Sequence, residues 1–122
     1  MNIENAQAQM RKGVLEYCIL AIISEGEIYP TDVINRLKES NMLVAEGTVY
    51  PLLNRLKTLE LLNYKWVESN SGPPRKYYQL TDKGRQFLTE LNKTWHELSH
   101  AVAINTKTLN LPQQWISYYL SI

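Results

Sequence analysis

The chain has 122 residues, which suits one domain with an appended element. A formal net charge of +1 excludes a uniformly basic nucleic-acid binder, and a single cysteine, Cys18, excludes an intramolecular disulfide. The charge is uneven: residues 46–85 carry seven Lys/Arg against four Asp/Glu, so the basic excess is local.

The first nine residues are polar and predict a frayed start. A helix is predicted from about Met10 to Ser24, with Val14, Cys18, Ile19, Ile22 and Ile23 inward and Gly26 as a left-handed cap. Cys18 lies in the apolar run Cys18–Ile23, which predicts a buried, inert thiol. Arg11-Lys12 before the longer run Val14–Ile23 faintly resembles a signal peptide. However, Glu16 interrupts the run, no small-x-small cleavage site follows, and the run is too short to span a bilayer. The expectation is a soluble cytoplasmic protein with no membrane partner.

A second helix is predicted over Pro30–Ser40, with Pro30 in its first turn, Asp32 near its positive end and Val33, Ile34 and Leu37 inward. After a short connection comes Glu46-Gly47-Thr48-Val49-Tyr50-Pro51-Leu52-Leu53-Asn54-Arg55-Leu56-Lys57. On a helix, Val49, Leu52, Leu53, Leu56 and Leu59 form a buried stripe. Gly47, Pro51, Asn54, Arg55 and Thr58 form the opposite face, flanked by Thr48 and Tyr50. That face is small and hydrogen-bonding, where a merely solvated face carries more Lys and Glu; it suits entry into a DNA groove. Thr48 is the expected cap, which would put Pro51 in the first turn. Two short helices joined this way read as a helix-turn-helix.

Tyr64–Ser69 and Arg75–Leu80 are rich in strand-favouring residues and flank the turn signal Asn70-Ser71-Gly72-Pro73-Pro74. They predict a hairpin of wing length with Arg75 and Lys76 beside its tip, within reach of phosphates or a minor groove. Thr81 caps a predicted long helix that runs to about Asn105. Leu88, Leu91, Trp95, Leu98 and Val102 form a heptad-like seam on it, which points to a helix from a second copy or to packing on the chain's own first helix. The tail Thr108–Ile122, with Trp115, Tyr118, Tyr119, Leu120 and Ile122, is too apolar for a free tail, and Pro112 would start a last short helix. The expected organisation is a winged helix-turn-helix over residues 1–80, a dimerisation helix over 81–107 and a docking tail over 108–122. The fold class is mainly α with a small β-hairpin.

The stretches Glu46–Leu56, Gly72-Pro73-Pro74-Arg75-Lys76-Tyr77-Tyr78 and Leu80-Thr81-Asp82-Lys83-Gly84-Arg85 occur in the order and spacing of a known pattern. Over roughly residues 10–105 the chain resembles the PadR family of bacterial transcriptional regulators, especially its short members. The resemblance implies a winged helix-turn-helix, a homodimer held by the last helix, and operator binding as a repressor, with release by a small-molecule effector in some members. It places Tyr50 and Asn54 on the recognition helix and Arg75 and Lys76 on the wing. Some relatives have Trp at the position of Trp95, where in certain members it lines a cavity at the dimer centre; here Trp95 also lies on the seam and reads as packing. Pro30 stands where the family often has Gly, and Thr108–Ile122 extends beyond the usual short form.

His96-Glu97-Leu98-Ser99-His100 reads as H-E-x-x-H, a zinc-protease spacing. A catalytic zinc needs a third protein ligand, and residues 101–122 contain no His, Asp, Glu or Cys. No Gly-rich phosphate loop and no nucleophile–base pair is present, so the chain is read as a non-enzyme without cofactor or metal. The resulting expectation is a homodimeric regulator of double-stranded DNA. Thr48, Tyr50, Asn54, Arg55, Arg75 and Lys76 are the expected DNA-binding residues, with Tyr50 and Asn54 at bases or sugars and Arg55, Arg75 and Lys76 mainly at phosphates. The rival reading is a winged-helix protein-interaction module that does not bind DNA.

Overall fold

A computed structural model describes residues 2–42 and 44–109. The elements are α1 (Ile3–Ile23), α2 (Pro30–Glu39), α3 (Glu46–Thr58), β1 (Leu62–Ser69), β2 (Gly72–Leu80) and α4 (Asp82–Asn105). The chain divides into two compact units, Met1–Leu91 and Asn92–Ile122. The expected architecture is present: helix-turn-helix, hairpin and a long last helix. None of the helices among the described residues is long and apolar enough to cross a membrane.

In the first unit, Leu15, Ile19, Leu20, Ile22 and Ile23 of α1 meet Val33, Ile34 and Leu37 of α2 and Val49, Leu53 and Leu56 of α3. Leu61, Leu62, Tyr78 and Leu80 close this core from the hairpin side, and Leu88 and Leu91 pack against it. β1 and β2 pair antiparallel, with Leu62 opposite Leu80 and Lys76 opposite Trp66. Ile28 adds a short bridge to Tyr78, with Ile28 N donating to Tyr78 O at 3.1 Å and Tyr78 N to Ile28 O at 2.8 Å. The wing is thereby stitched to the loop between α1 and α2. In the second unit the described chain is the remainder of α4, on which Leu98 and Val102 are half exposed, followed by a turn over residues 106–109.

Several local expectations are corrected. α1 begins at Ile3 and not near Met10, because Asn2 Oδ1 accepts from Asn5 N at 2.8 Å and caps a run of good helix formers. Leu15 and Leu20 are buried on it, whereas Val14 and Cys18 are half-buried, and burial pushes the Cys18 thiol pKa up. Gly26 takes a positive φ of 147°, but two residues beyond the C-cap Ser24. Ala45, not Thr48, is the N-cap of α3, so Thr48 lies within the first turn and Pro51 one turn deeper. Pro51 has no N–H to donate to the Gly47 carbonyl, four residues back. Leu59 is exposed at the helix end and does not complete the buried stripe. Gly72, Pro73 and Pro74 open β2, leaving Asn70-Ser71 as the turn. A two-stranded sheet has only edge strands, so prolines with an outward nitrogen are tolerated, and the register shifts between Val67 and Ser69. The tail residues Trp115, Tyr118, Tyr119, Leu120 and Ile122, and the helix expected at Pro112, lie outside the described residues.

Both helices of the helix-turn-helix end the same way. At α2, Asn41 has φ 62°, with Asn41 N donating to Lys38 O and Met42 N to Leu37 O. At α3, Glu60 has φ 65°, with Glu60 N donating to Lys57 O and Leu61 N to Leu56 O. These are paired Schellman closures with a non-glycine residue in the left-handed position. Thr81 then ties the α3 end to α4. Its hydroxyl donates to Glu60 O at 2.6 Å and accepts from Gly84 N at 2.9 Å, while its backbone N donates to Leu61 O at 3.1 Å. Gly84 is buried against this junction, and a Cβ there would lie 2.0 Å from Leu61 O. Two stability changes of opposite sign are expected in urea unfolding. Gly84→Ala should destabilise by about 3 kcal/mol or more, because backbone must move. Glu60→Gly should stabilise by roughly 0.5–1 kcal/mol by relieving the left-handed side chain.

Candidate nucleic-acid interface

The outer face of α3 is framed by two neighbours. On one flank, Thr48 borders a cleft of about 500 Å³ lined by Leu15 of α1, Met42, Val44, Ala45 and Leu52. Farther along that flank, the Arg55 guanidinium is ion-paired with Glu16 of α1. On the other flank, Tyr50 is exposed, and two turns later Lys57 places its Nζ 4.9 Å from the Tyr64 ring centroid on β1. Between the flanks lie Gly47, Pro51, Asn54 and Thr58, all exposed. Thr58 Oγ1 donates to the Asn54 carbonyl at 3.0 Å. At the first turn of α3, Glu46 is ion-paired with Lys38 at 2.7 Å. The hydrogen bond from Lys38, with the attraction of its charge, lowers the Glu46 pKa. This pair neutralises a carboxylate that would otherwise repel phosphate from the helix end.

The hairpin presents two faces. On one, Tyr64, Trp66 and Lys76 gather: Lys76 Nζ lies 4.4 Å from the Tyr64 ring centroid and 5.2 Å from that of Trp66. Trp66 is 60% exposed, unusual for so large an apolar group. On the other face, Arg75 Cζ lies 3.6 Å from the Tyr29 ring centroid, and Arg75 Nη2 donates to Thr31 Oγ1 at 3.2 Å. Tyr77 stacks on Tyr29 with centroids 4.1 Å apart and planes at 20°. A hydrogen bond between those tyrosines is the main reason the Tyr77 pKa is raised.

Around α3 and the hairpin two kinds of cation stand out. Arg36, Lys38, Arg55 and Lys65 are paired with Glu25, Glu46, Glu16 and Glu27. Among the described residues, Lys57, Arg75 and Lys76 meet aromatic rings and no carboxylate. A ring leaves the full positive charge in place, so unneutralised charge borders the hairpin. Of the residues singled out from sequence, Thr48, Tyr50, Asn54 and Arg55 share α3, and Arg75 and Lys76 share β2 on opposite faces. Lys57 and Tyr29 were not singled out. The signal for Lys57 was its seven-residue spacing from Tyr50; nothing local marks Tyr29.

The described part of α4 divides the seam. Leu88 and Leu91 pack on the winged-helix core, whereas Leu98 and Val102 are 51% exposed. His96 and His100 are exposed on this helix, and among the described residues no group of three or more His, Cys, Asp or Glu is placed to hold a metal ion.

Residues 19–90 match the model of the transcriptional regulator PadR-like family. A PadR-like transcription factor from Bacteroides fragilis is 55% identical, covering 80% of this chain and 95% of its own, with a TM-score of 0.69. A PadR-like transcriptional regulator from Bacillus cereus is 40% identical, covering 84% and 99%, with a TM-score of 0.71. PadR from Bacillus subtilis, solved in complex with operator DNA, is 28% identical, covering 64% of this chain and 46% of its own, with a TM-score of 0.59. The helix-turn-helix, the wing stitched to it and the long last helix are thus those of a known group: this chain belongs to the PadR-like family of transcriptional regulators.

Proposed function

We propose that the chain is a homodimeric, sequence-specific DNA-binding repressor. Each α3 enters a major groove of a roughly palindromic operator, and each wing lies along the adjacent backbone. The observation that carries this reading is Gly47. It is exposed in the first turn of α3, and a Cβ there would meet nothing within 4 Å. It is also absent from the positive-φ residues. Neither internal packing nor backbone conformation asks for glycine, which weakens a helix. A second molecule that must approach the backbone closely supplies the missing reason. Pro51 serves the same face, since it leaves the Gly47 carbonyl without its helical donor.

Thr48, Tyr50 and Asn54 then lie at base edges and sugars, and Lys76 lies at a phosphate together with Lys57. Arg55 reaches phosphate only by exchanging Glu16 for it. The dimer is assigned to α4, because Leu98 and Val102 continue the heptad-like seam beyond the part that covers the chain's own core. A small-molecule effector that shifted the two α4 helices would change the spacing of the two recognition helices and so release the operator. The Bacillus subtilis PadR complex with operator DNA supports the DNA reading.

The direct test is fluorescence anisotropy of labelled duplex from upstream of the protein's own gene against scrambled duplex at equal salt. Binding at least about a thousandfold tighter to the first is expected. Equal weak binding would favour a winged-helix module that engages protein. Lys76→Ala should lower the slope of log affinity against log salt by about 0.9 while leaving sequence preference intact. Gly47→Ala should separate folding from binding: a stability gain of about 0.5 kcal/mol, with operator affinity about tenfold weaker.

A further inference from the structure

Arg75 looks like the wing's phosphate ligand by its position near the tip, yet its surroundings assign it different work. The guanidinium sits 3.6 Å from the Tyr29 ring centroid and donates to Thr31 Oγ1 at 3.2 Å, 44 residues away in sequence. Both partners belong to the start of α2: Tyr29 is its N-cap and Thr31 lies in its first turn. Tyr29 is fixed in turn, because its backbone N donates to Asp32 Oδ2 at 3.1 Å and its ring stacks on Tyr77 at 4.1 Å. Tyr77 lies two residues beyond Arg75 on the same face of β2. Next to it on the strand, Tyr78 forms the two-bond bridge to Ile28.

From these contacts we infer that Arg75 is a positioning residue, a latch that sets the wing against the α2 N-terminus and acts on DNA through the placement of Lys76. A helix N-terminus is an unfavourable place for a cation, which makes the location informative. Two geometric contacts that only a planar fork makes together, a stack and a directed hydrogen bond, hold it there. A guanidinium turned to a phosphate would have to leave both. Lys76, on the opposite face of the same strand, rests on Tyr64 and Trp66 with its charge uncommitted to any carboxylate, and Lys57 rests on the same Tyr64. Nearer the root the Lys76 face closes the core through Tyr78 and Leu80, but at the wing's outer end the Arg75 side grips the α2 N-terminus and the Lys76 side is left to meet the ligand. This role rests on the DNA-binding reading, but the latch can also be read without DNA.

The test is a double-mutant cycle on Arg75 and Tyr29, read as affinity and salt slope on a duplex that the wild-type protein selects from a random library. Arg75→Ala and Tyr29→Leu should each weaken binding about tenfold. The double variant should fall within about twofold of the weaker single variant, because both remove one latch. The salt slope should stay within about 0.3 of wild type in all three, and Tyr29→Phe should restore affinity by restoring the ring. Amide hydrogen exchange at Ile28 and Tyr78 in the free protein should speed up in Arg75→Ala and not in Lys76→Ala. Multiplicative losses with a slope lowered by about 0.9 in Arg75→Ala alone would make Arg75 a phosphate ligand and overturn the assignment. Unchanged exchange at Ile28 and Tyr78 would overturn it independently of DNA. If the wild type selects no duplex while exchange responds as expected, the latch stands and the DNA reading fails.

Discussion

The Leu61 carbonyl is the point on which the rest of the fold depends. It accepts from Thr81 N, and Gly84 is packed so close that no side chain fits between them. Three elements meet there. α3 ends at Thr58 with Leu59 as its C-cap and reverses through a left-handed Glu60 one residue before; β1 begins one residue after; and α4 starts from the Thr81 cap. Since Leu61 and Leu62 are buried while Glu60 is exposed, the reversal must occur within one residue. The left-handed turn accomplishes this and leaves Glu60 O pointing at the Thr81 hydroxyl. The end of α3, the root of the hairpin and the start of α4 are thereby fixed relative to one another in a few ångströms of backbone. Movement of α4 at its root would be felt at α3 without any intervening loop to absorb it.

Electrostatics around α3 follow a division of labour that net charge conceals. Glutamates occupy Arg36, Lys38, Arg55 and Lys65, whereas aromatic rings hold Lys57, Arg75 and Lys76. The ion pairs are largely exposed, so each contributes little to stability. Their larger effect is on shape of potential: they neutralise Arg36 and Lys38 on α2, Arg55 on α3 and Lys65 on β1, and leave Lys57, Arg75 and Lys76 charged beside the hairpin, with Arg11 and Lys12 of α1 at the cleft on the Thr48 flank. A near-neutral chain can present a local cationic edge in this way.

Much of this was legible in the sequence because it depends on local periodicity. The α2 core positions Val33, Ile34 and Leu37, the presence of a hairpin between α3 and α4, though not its short turn, and the Thr81-capped helix to Asn105 all follow from spacing of three and four, alternation, and turn chemistry. Illegible features depend on contacts between residues far apart. Nothing near Arg55 announces Glu16, 39 residues earlier, and nothing near Arg75 announces Tyr29 and Thr31. Gly84 stood inside a recognisable motif, but its reason, the Leu61 carbonyl, appears only once α3 and α4 are packed. The start of α3 carries no local signal, because Ala45 has no capping side chain and the helix start rests on backbone alone, whereas Thr48, a good capping residue by type, lies inside the first turn. The residues singled out on α3 nonetheless share one exposed face in the structure, whereas the two on the wing divide between opposite faces.

The outer face of α3 and the Lys76 side of the wing tip are proposed to engage DNA together. Hydrogen–deuterium exchange of the full chain, free and bound to a duplex it selects, tests this most directly. Slowed exchange at residues 45–51 and 69–77 on binding, in both copies of a dimer, is expected. Protection confined to the α1 cleft or to residues 92–109, with residues 45–51 and 69–77 unchanged, would contradict it.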